Sequence, residues 1–123
     1  MFYVLIVGSR SFDDFNLLVA KCDKLLANHQ EVTVVSGGAR GADALAKRYA
    51  HLRNFGYVEF RADWERIGKS AGYRRNEQMH AFISQFEHRG VIAFWDGSSK
   101  GTAHNFELCK RFNNPLRLIR YTK

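Results

Sequence analysis

The sequence predicts a doubly wound α/β domain built on a five-stranded, mainly parallel sheet. Strand-like apolar runs alternate with helix-like runs along all 123 residues. Strands that alternate with helices form parallel sheets with helices on both faces. Because the crossovers between parallel strands are right-handed, the result is a doubly wound domain. The chain length suits a single domain, residues 1–123, with one core.

The apolar pattern predicts nine elements in chain order. The strands are predicted at residues 2–7, 32–35, 57–60, 91–95 and 116–121. The helices are predicted at roughly 14–28, 41–53, 72–87 and 102–112. The first helix has an apolar stripe with helical spacing, made of Phe15, Leu18, Val19, Cys22, Leu25 and Leu26. The second has a stripe of smaller residues that allows close approach to the sheet, made of Ala42, Leu45, Ala46 and Tyr49.

The third helix carries polar residues on its buried side. Its stripe consists of Met79, Phe82, Ile83 and Phe86. Four residues before Met79 lies Arg75, with Asn76 beside it, so both are predicted to point inward near the start of the helix. Arg74 points elsewhere, into solvent. A buried arginine needs an anionic partner. We expect a carboxylate of Asp43, Asp63 or Asp96, or a ligand phosphate, and both interpretations stay open.

The last helix is interpreted in the same way. Leu108, Cys109 and Phe112 form its buried stripe, and Asn105 continues that stripe toward the helix start. At about 100° per residue, Glu107 falls on the opposite face. We therefore expect Asn105 to be inward and Glu107 to be an exposed surface acid.

Composition limits the classes of partner. The formal net charge of +7 and the pI near 9.7 favour anionic partners without choosing among them. No apolar run approaches the ~20 residues of a membrane helix, and the first residues resemble a strand, not a signal peptide. We expect a cytoplasmic protein with no membrane partner. Cys22 and Cys109 are widely separated, so two reduced core thiols are expected and no metal site.

Three glycine-rich turns follow predicted strands. Gly8-Ser9-Arg10 follows the first, residues 36–41 (SGGARG) follow the second, and residues 96–102 (DGSSKGT) follow the fourth. The carboxyl ends of parallel strands share one edge, where ligands of such sheets bind. Each turn is expected to open toward a helix N-terminus, which favours an anion. Together with Arg10, Arg40 and Lys100, these turns predict a nucleotide-like ligand.

Other residues near this edge have two interpretations each. Asp43 either complements its helix dipole or holds a ribose or Arg40. Trp64, after Asp63, either stacks on a base or has a core or lid role. Asp96 lies at a strand end beside a glycine turn. His104 is expected to be a surface or capping group and Trp95 a core residue. No catalytic residue is assigned.

Four motifs resemble the SLOG superfamily of Rossmann-like domains, and within it the small stand-alone branch named after YspA and YpsA. They are GSRSF, VVSGGARGADALA, ADWERIGKSAGYRRNEQM and AFWDGSSKGTAH, in the expected order between Gly8 and Phe112. The resemblance implies a Rossmann-like fold. The superfamily includes the LOG enzymes, which cleave the base from nucleoside monophosphates, and the DNA-processing protein DprA. Other members are associated with nucleotides derived from NAD or ADP-ribose.

The LOG pattern is only partly present. Arg75 and Met79 match its arginine and methionine, and Gly101 and Thr102 match its glycine-threonine pair. Asn105 stands where LOG enzymes have a glutamate, which puts LOG-type hydrolysis in doubt.

The expected function is binding of a nucleotide-derived ligand, of the NAD/ADP-ribose or nucleoside-phosphate type, by a sensor or processing protein. The alternatives are a LOG-like N-glycosidic hydrolase and a DprA-like binder of single-stranded nucleic acid, and a homodimer is also open. The ligand is expected to contact Gly8, Ser9, Arg10, Ser36, Gly37, Gly38, Ala39, Arg40, Gly41, Asp43, Asp63, Trp64, Arg75, Asn76, Asp96, Gly97, Ser98, Gly101, Thr102 and Asn105.

Overall fold

A computed structural model describes residues 1–122, with Lys69 by its backbone alone. Its five strands form one parallel sheet, in the order β3-β2-β1-β4-β5. The strands are β1 (Phe2–Gly8), β2 (Val32–Ser36), β3 (Gly56–Glu59), β4 (Arg89–Trp95) and β5 (Leu116–Arg120). The helices are α1 (Phe15–Leu25), α2 (Ala42–Leu52), α3 (Trp64–Ile67), α4 (Ala71–Ile83) and α5 (Lys100–Phe112), with a 3-10 turn at Gly68–Ser70. The predicted fold class is confirmed.

Alternate residues of the central strands supply two cores. Val4 and Ile6 of β1 pack on one face with Leu18 of α1 and Ala46 of α2. The intervening Leu5 and Val7, with Met79 and Ile83 of α4 and Cys109 of α5, pack on the other face. Both faces of β1 are therefore covered, as period-2 alternation in a doubly wound sheet requires.

The predicted stripes are confirmed except at one residue. Leu18 and Cys22 of α1, Ala46 and Tyr49 of α2 and Leu108 of α5 are buried. The side chain of Leu25, however, is 36% exposed, so its predicted burial is wrong. The helix ends at this residue, and the chain buries the following Leu26 instead.

Two helix predictions differ from the structure. The sequence pattern did not indicate α3, whose four residues are too few to show an apolar stripe. The helix predicted to end at residue 87 ends at Ile83. The Ser84 hydroxyl then donates to the Ala81 carbonyl (Oγ–O distance 2.8 Å), a local bond that competes with helix continuation. Phe86 still packs inward, stacked on Tyr3 with ring centroids 3.8 Å apart.

Both cysteines lie in the core, as the sequence predicted. Cys22 and Cys109 are free and buried, and burial raises the pKa of the Cys22 thiol to about 12 and that of Cys109 to about 11. Within residues 1–122, no helix has the length and apolar character needed to cross a membrane. No group of His, Cys, Asp or Glu in the same residues is arranged to hold a metal ion.

Candidate functional site

A crevice of about 950 Å³ opens at the carboxyl edge of the sheet. It lies where β1 and β4 are neighbours, because the chain builds β2 and β3 on one side of β1 and then crosses to build β4 and β5 on the other. Parallel strands whose connections leave in opposite directions create such a crevice, and this is the usual ligand position in open α/β sheets.

The crevice brings together fourteen of the twenty residues that the sequence predicted to contact a ligand. They come from the segments after β1, β2 and β4 and from α2, α3, α4 and α5. They are Gly8, Ser9, Arg10, Ala39, Arg40, Gly41, Asp43, Trp64, Arg75, Asn76, Asp96, Gly101, Thr102 and Asn105. Lys100, which we expected beside the third turn, does not line the crevice.

Three predicted residues of the second turn lie outside the crevice wall. Ser36 is fully buried, and its hydroxyl donates to the Asp43 carbonyl (Oγ–O distance 3.1 Å). Gly37 lies against the side chains of Arg75 and Asp43, where a Cβ would come within 2.8 Å of both. Gly38 faces Glu59 instead. Ser36 and Gly37 therefore lie behind the wall and contact residues that line it.

The other three predicted residues also lie outside the crevice wall. Asp63 caps α3 and forms an ion pair with Arg66, with 2.9 Å between Oδ2 and Nε. Gly97 faces Arg120. Ser98 is exposed and donates its backbone N–H to the Asp96 carboxylate.

Arg75 and Asp43 form a buried pair in the crevice wall. Their side chains are 12% and 9% exposed, and Arg75 Nη1 lies 3.9 Å from Asp43 Oδ2. Nη1 of Arg75 also donates to the Gly37 carbonyl (3.1 Å) and Nη2 donates to Asn76 Oδ1 (3.3 Å). The inward orientation predicted for Arg75 and Asn76 is confirmed. Arg75 therefore has a protein carboxylate and also faces the crevice.

Burial changes the pKa of the Asp43 carboxyl group. Burial raises its pKa from the usual 3.8 to about 6, although the Arg75 guanidinium and the Ala39 N–H both oppose this shift. The N–H of Ala39 donates to Asp43 Oδ2 (3.3 Å). Asp43 therefore holds the second glycine turn to the start of α2, as a structural carboxylate would.

Two buried polar atoms in the wall have unused hydrogen-bonding capacity. Arg75 Nε and Ser9 Oγ make no hydrogen bond within the described part of the chain. Ser9 is 2% exposed, and its hydroxyl lies close enough to the Asp96 carboxylate to help lower the pKa of that group. An unsatisfied buried donor is costly. A ligand with acceptor oxygens would satisfy both atoms.

Two helices direct their N-termini at the crevice. Gly41 and Asp43 of the α2 start line it, as do Gly101 and Thr102 of the α5 start. The first glycine turn differs from the prediction, because residues 9–14 separate Gly8 from α1. The N-terminus of α1 is capped by the Asp14 side chain, which accepts from the Leu17 N–H (3.0 Å).

Gly101 stands out among the glycines of the crevice. A Cβ at Gly8 would lie 2.5 Å from the Ala42 Cβ and 2.6 Å from the Phe94 carbonyl oxygen, so packing alone explains that glycine. A Cβ at Gly101 would have nothing within 4 Å. The lack of a side chain there leaves open space beside the start of α5.

Asp96 is a turn-forming carboxylate at the crevice wall. Its Oδ1 accepts from the N–H groups of Ser98 and Ser99, each at 2.9 Å. These bonds lower the pKa of Asp96, so it is ionised at neutral pH.

The indole of Trp64 is 48% exposed at the crevice mouth, and the Arg10 guanidinium lies 5.8 Å from its ring centroid.

Trp95 is half-buried, not fully in the core, and its Nε1 donates to the Ser99 carbonyl (3.1 Å). His104 is partly buried, with Nδ1 at 3.3 Å from Asn76 Nδ2, and lies outside the crevice wall.

Sequence reasoning missed several residues at this site. Asp13 and Tyr73 also line the crevice, and neither belongs to a glycine turn or an apolar stripe. His80 lies behind the wall, fully buried, with Nε2 at 3.0 Å from Asn105 Oδ1. Its place four residues after Asn76, on the inward face of α4, was a usable signal.

The charges lining the crevice are balanced. Three arginines (Arg10, Arg40, Arg75) face three aspartates (Asp13, Asp43, Asp96). Since Asp43 is paired with Arg75 and Asp96 accepts from its own turn, the exposed Arg10 and Arg40 are placed to meet a ligand anion. Asn105 is buried and amide-bearing, so its position lacks the carboxylate of the LOG pattern.

Comparison with known families supports the resemblance seen in the motifs. A model of the YAcAr family, described as the YspA, cpYpsA-related SLOG family, matches residues 2–67. The Gene 61 protein of Mycobacterium phage D29 is 40% identical over 119 residues, which cover 92% of each chain.

Comparison with one solved structure supports the fold. DNA processing protein A from Helicobacter pylori, whose structure was described for its single-stranded DNA binding mode, superposes with a TM-score of 0.63 at 19% identity. The match covers 95% of this chain and 64% of that chain, so the present chain spans less than two thirds of its length. A predicted subunit of a tRNA methyltransferase from Methanocaldococcus jannaschii gives a TM-score of 0.41 at 14% identity, over 96% of this chain and 67% of that chain.

Proposed function

The chain belongs to the YspA, cpYpsA-related SLOG family, and from this membership and the crevice geometry we propose that it binds a nucleotide-derived ligand at the carboxyl edge of its sheet. The proposed ligand is of the nucleoside-phosphate or NAD/ADP-ribose type. The observation that carries the proposal is the buried pair of unused donors, Arg75 Nε and Ser9 Oγ, in the wall of one crevice. Phosphate and ribose oxygens supply the acceptors that these atoms lack.

Other features of the crevice agree with a phosphate-bearing ligand. The N-termini of α2 and α5 provide backbone N–H groups and the positive ends of two helix dipoles. Arg10 and Arg40 add charge at the mouth. The exposed indole of Trp64 offers a flat apolar face for a base.

Binding without base cleavage is the form of this function that we favour. Cleaving a base from ribose builds positive charge on the sugar, and a nearby carboxylate usually stabilises it. Asn105 occupies that position and is neutral. Asp43 and Asp96, two of the three carboxylates that line the crevice, are engaged with Arg75 and with the turn after β4. We therefore propose a sensor or carrier role.

Arg75 provides the direct test. We expect Arg75→Ala to weaken the binding of AMP, ADP-ribose or NAD by at least tenfold, because it removes a charge-assisted donor worth roughly 1.5–3 kcal/mol. Arg74→Ala is the matched control, since Arg74 precedes Arg75 on α4 but is exposed. Calorimetric titration measures both affinities.

Two further measurements distinguish an effect on ligand binding from an effect on folding. Thermal unfolding of each variant separates lost binding from lost folding, because Arg75→Ala leaves Asp43 buried without its cation. Arg75→Lys retains a charge near Asp43 and is expected to bind more weakly than wild type but to fold. Equal affinities for Arg75→Ala and Arg74→Ala would contradict the proposal.

Binding of single-stranded nucleic acid is the second candidate. The fold likeness to DNA processing protein A favours it, as do the net charge of +7 and the exposed Arg10, Arg40 and Trp64 at the crevice mouth. Arginines beside an exposed aromatic ring are typical of sites that take a phosphate and stack a base. The same crevice would then hold one nucleotide of a longer strand.

A further inference from the structure

A chain of hydrogen bonds connects the amino end of β4 to the crevice. Arg89 Nε lies 2.6 Å from Asn114 Oδ1, and Asn114 Nδ2 lies 3.0 Å from His80 Nδ1. His80 Nε2 in turn lies 3.0 Å from Asn105 Oδ1. His80 is fully buried, and Asn105 and Asn114 are 3% and 4% exposed. Water therefore has little access to the hydrogen bonds between Asn114, His80 and Asn105.

Arg89 determines which groups donate and which accept along this series of hydrogen bonds. A guanidinium only donates, so it requires the carbonyl oxygen of Asn114 and thereby turns the amide nitrogen of Asn114 toward His80. Arg89 is itself held in place, since it also donates to the carbonyls of Phe86 (2.7 Å) and Asn113 (3.1 Å). The orientation of Asn114 is therefore determined by its surroundings.

The orientation of Asn114 determines which ring nitrogen of His80 donates to Asn105. Since Asn114 Nδ2 donates, His80 Nδ1 must accept, and a neutral imidazole then carries its hydrogen on Nε2. Burial lowers the pKa of His80 to about 4, so the ring is neutral at pH 7. The Nε2–H group donates to Asn105 Oδ1, which fixes the carbonyl side of that amide toward His80.

The amide nitrogen of Asn105 is thereby fixed as the donor side of that group. One Nδ2 hydrogen goes to the Gly101 carbonyl at 3.1 Å. The second hydrogen has no acceptor within residues 1–122, and Asn105 lines the crevice. Rotating the amide by 180° would place Nδ2 against the His80 N–H, so the opposite orientation is excluded.

We propose that Asn105 is a fixed hydrogen-bond donor that selects an oxygen acceptor of the ligand, with His80 and Asn114 as positioning residues. This inference rests on the proposed function, because it concerns the same crevice. The acceptor is a phosphate, hydroxyl or carbonyl oxygen. A cationic or N–H group at this position is rejected, because it would face the positive end of the amide dipole.

The first test needs no ligand. Long-range ¹⁵N–¹H correlation spectra of the wild-type protein at pH 7 report which ring nitrogen of His80 is protonated. We expect a protonated Nε2 and an unprotonated Nδ1. A protonated Nδ1, in either a neutral or a charged ring, would reverse or break this series of hydrogen bonds and overturn the proposal.

The second test follows the Asn105 side-chain amide of the wild type during titration with AMP, adenosine or inorganic phosphate. A downfield shift with phosphate and AMP but not adenosine assigns the acceptor to the phosphate. A shift with adenosine assigns it to the sugar or base. Binding of AMP without any response of this amide contradicts the proposal.

A variant gives an independent measure. Asn105→Asp keeps an oxygen for His80 but removes both N–H donors, and we expect AMP to bind at least tenfold more weakly. Asn16→Asp adds the same charge at an exposed position of α1 outside the crevice wall and should bind normally. Equal affinity for Asn105→Asp and wild type would overturn the proposal. If wild type binds none of the probes, the proposed function and the ligand contact fail together, while the His80 tautomer still decides whether Asn105 is oriented as a donor.

Discussion

At the scale of single residues, Asp43 and His80 have opposite effects on stability as pH changes. The folded-state pKa of Asp43 is raised to about 6, so between its usual 3.8 and 6 the folded protein holds more protons than the unfolded chain. Its contribution to the free energy of unfolding therefore falls as pH rises. The folded-state pKa of His80 is lowered from 6.5 to about 4, so its contribution rises over nearly the same range.

Removing either group should expose the effect of the other. Between pH 4.5 and 7, we expect the free energy of unfolding of Asp43→Asn to rise by about 2 kcal/mol more than that of wild type, because the falling contribution of Asp43 is removed. For His80→Gln the rise should be about 2 kcal/mol smaller than for wild type, because the rising contribution of His80 is removed. Urea unfolding at several pH values measures both slopes. Parallel slopes for the two variants would show that neither pKa is shifted in the direction given.

The chemistry of the crevice also depends on one residue. Because Asn105 is an amide, we expect purified protein to release little adenine from AMP. Asn105→Glu introduces the acid of the LOG pattern and should raise any trace of release, provided that Arg75 and Gly101 already position the nucleotide. Chromatography of free adenine measures this. Rapid release by wild type would mean that another acid acts, and Asp96 and Asp43 would be the first to replace.

At the scale of elements, the glycine that ends β1 and the glycine in the first turn of α5 are required for different reasons. Gly8 is packed against α2 and β4, whereas Gly101 in the first turn of α5 faces open space. We expect Gly8→Ala to destabilise the fold by about 1–3 kcal/mol through overpacking. Gly101→Ala should change stability by less than about 1 kcal/mol, since alanine suits a helix better than glycine.

The same pair of variants tests where the ligand lies. If a nucleotide approaches the backbone at the start of α5, the added methyl group of Gly101→Ala occupies its space and binding should weaken at least tenfold. Thermal unfolding and calorimetry on the same samples separate the two effects. Full affinity in Gly101→Ala would place the ligand away from α5.

At the scale of the whole molecule, salt dependence distinguishes the two proposed functions. Each phosphate neutralised by a cation releases counterions, so the affinity for a strand falls steeply with salt. We expect only weak, salt-sensitive binding of oligonucleotides despite the net charge of +7, and a smaller salt response for a mononucleotide. Fluorescence anisotropy at several salt concentrations measures both. Tight oligonucleotide binding near physiological salt would favour the second candidate.

The sequence by itself determined the sheet, its helices and the facing of key side chains. Strand and helix periods are local, so they placed all five strands and the buried sides of the four longer helices. The same periods placed Arg75 and Asn105 inward and Arg74 and Glu107 outward, as the structure has them. Motif order was sufficient to indicate the family.

Only the tertiary structure decided which of these residues meet. The order of strands places β1 beside β4, and this contact between distant segments creates the crevice. Gly38 and Gly97 face away from the crevice. Packing also pairs Arg75 with Asp43 and not with Asp63 or Asp96. The path from Arg89 to Asn105 joins the start of β4, the segment between α5 and β5, and the helices α4 and α5, so no local pattern reveals it. Periodicity reports the side of an element on which a residue lies. The partner on that side depends on packing between segments far apart in the chain.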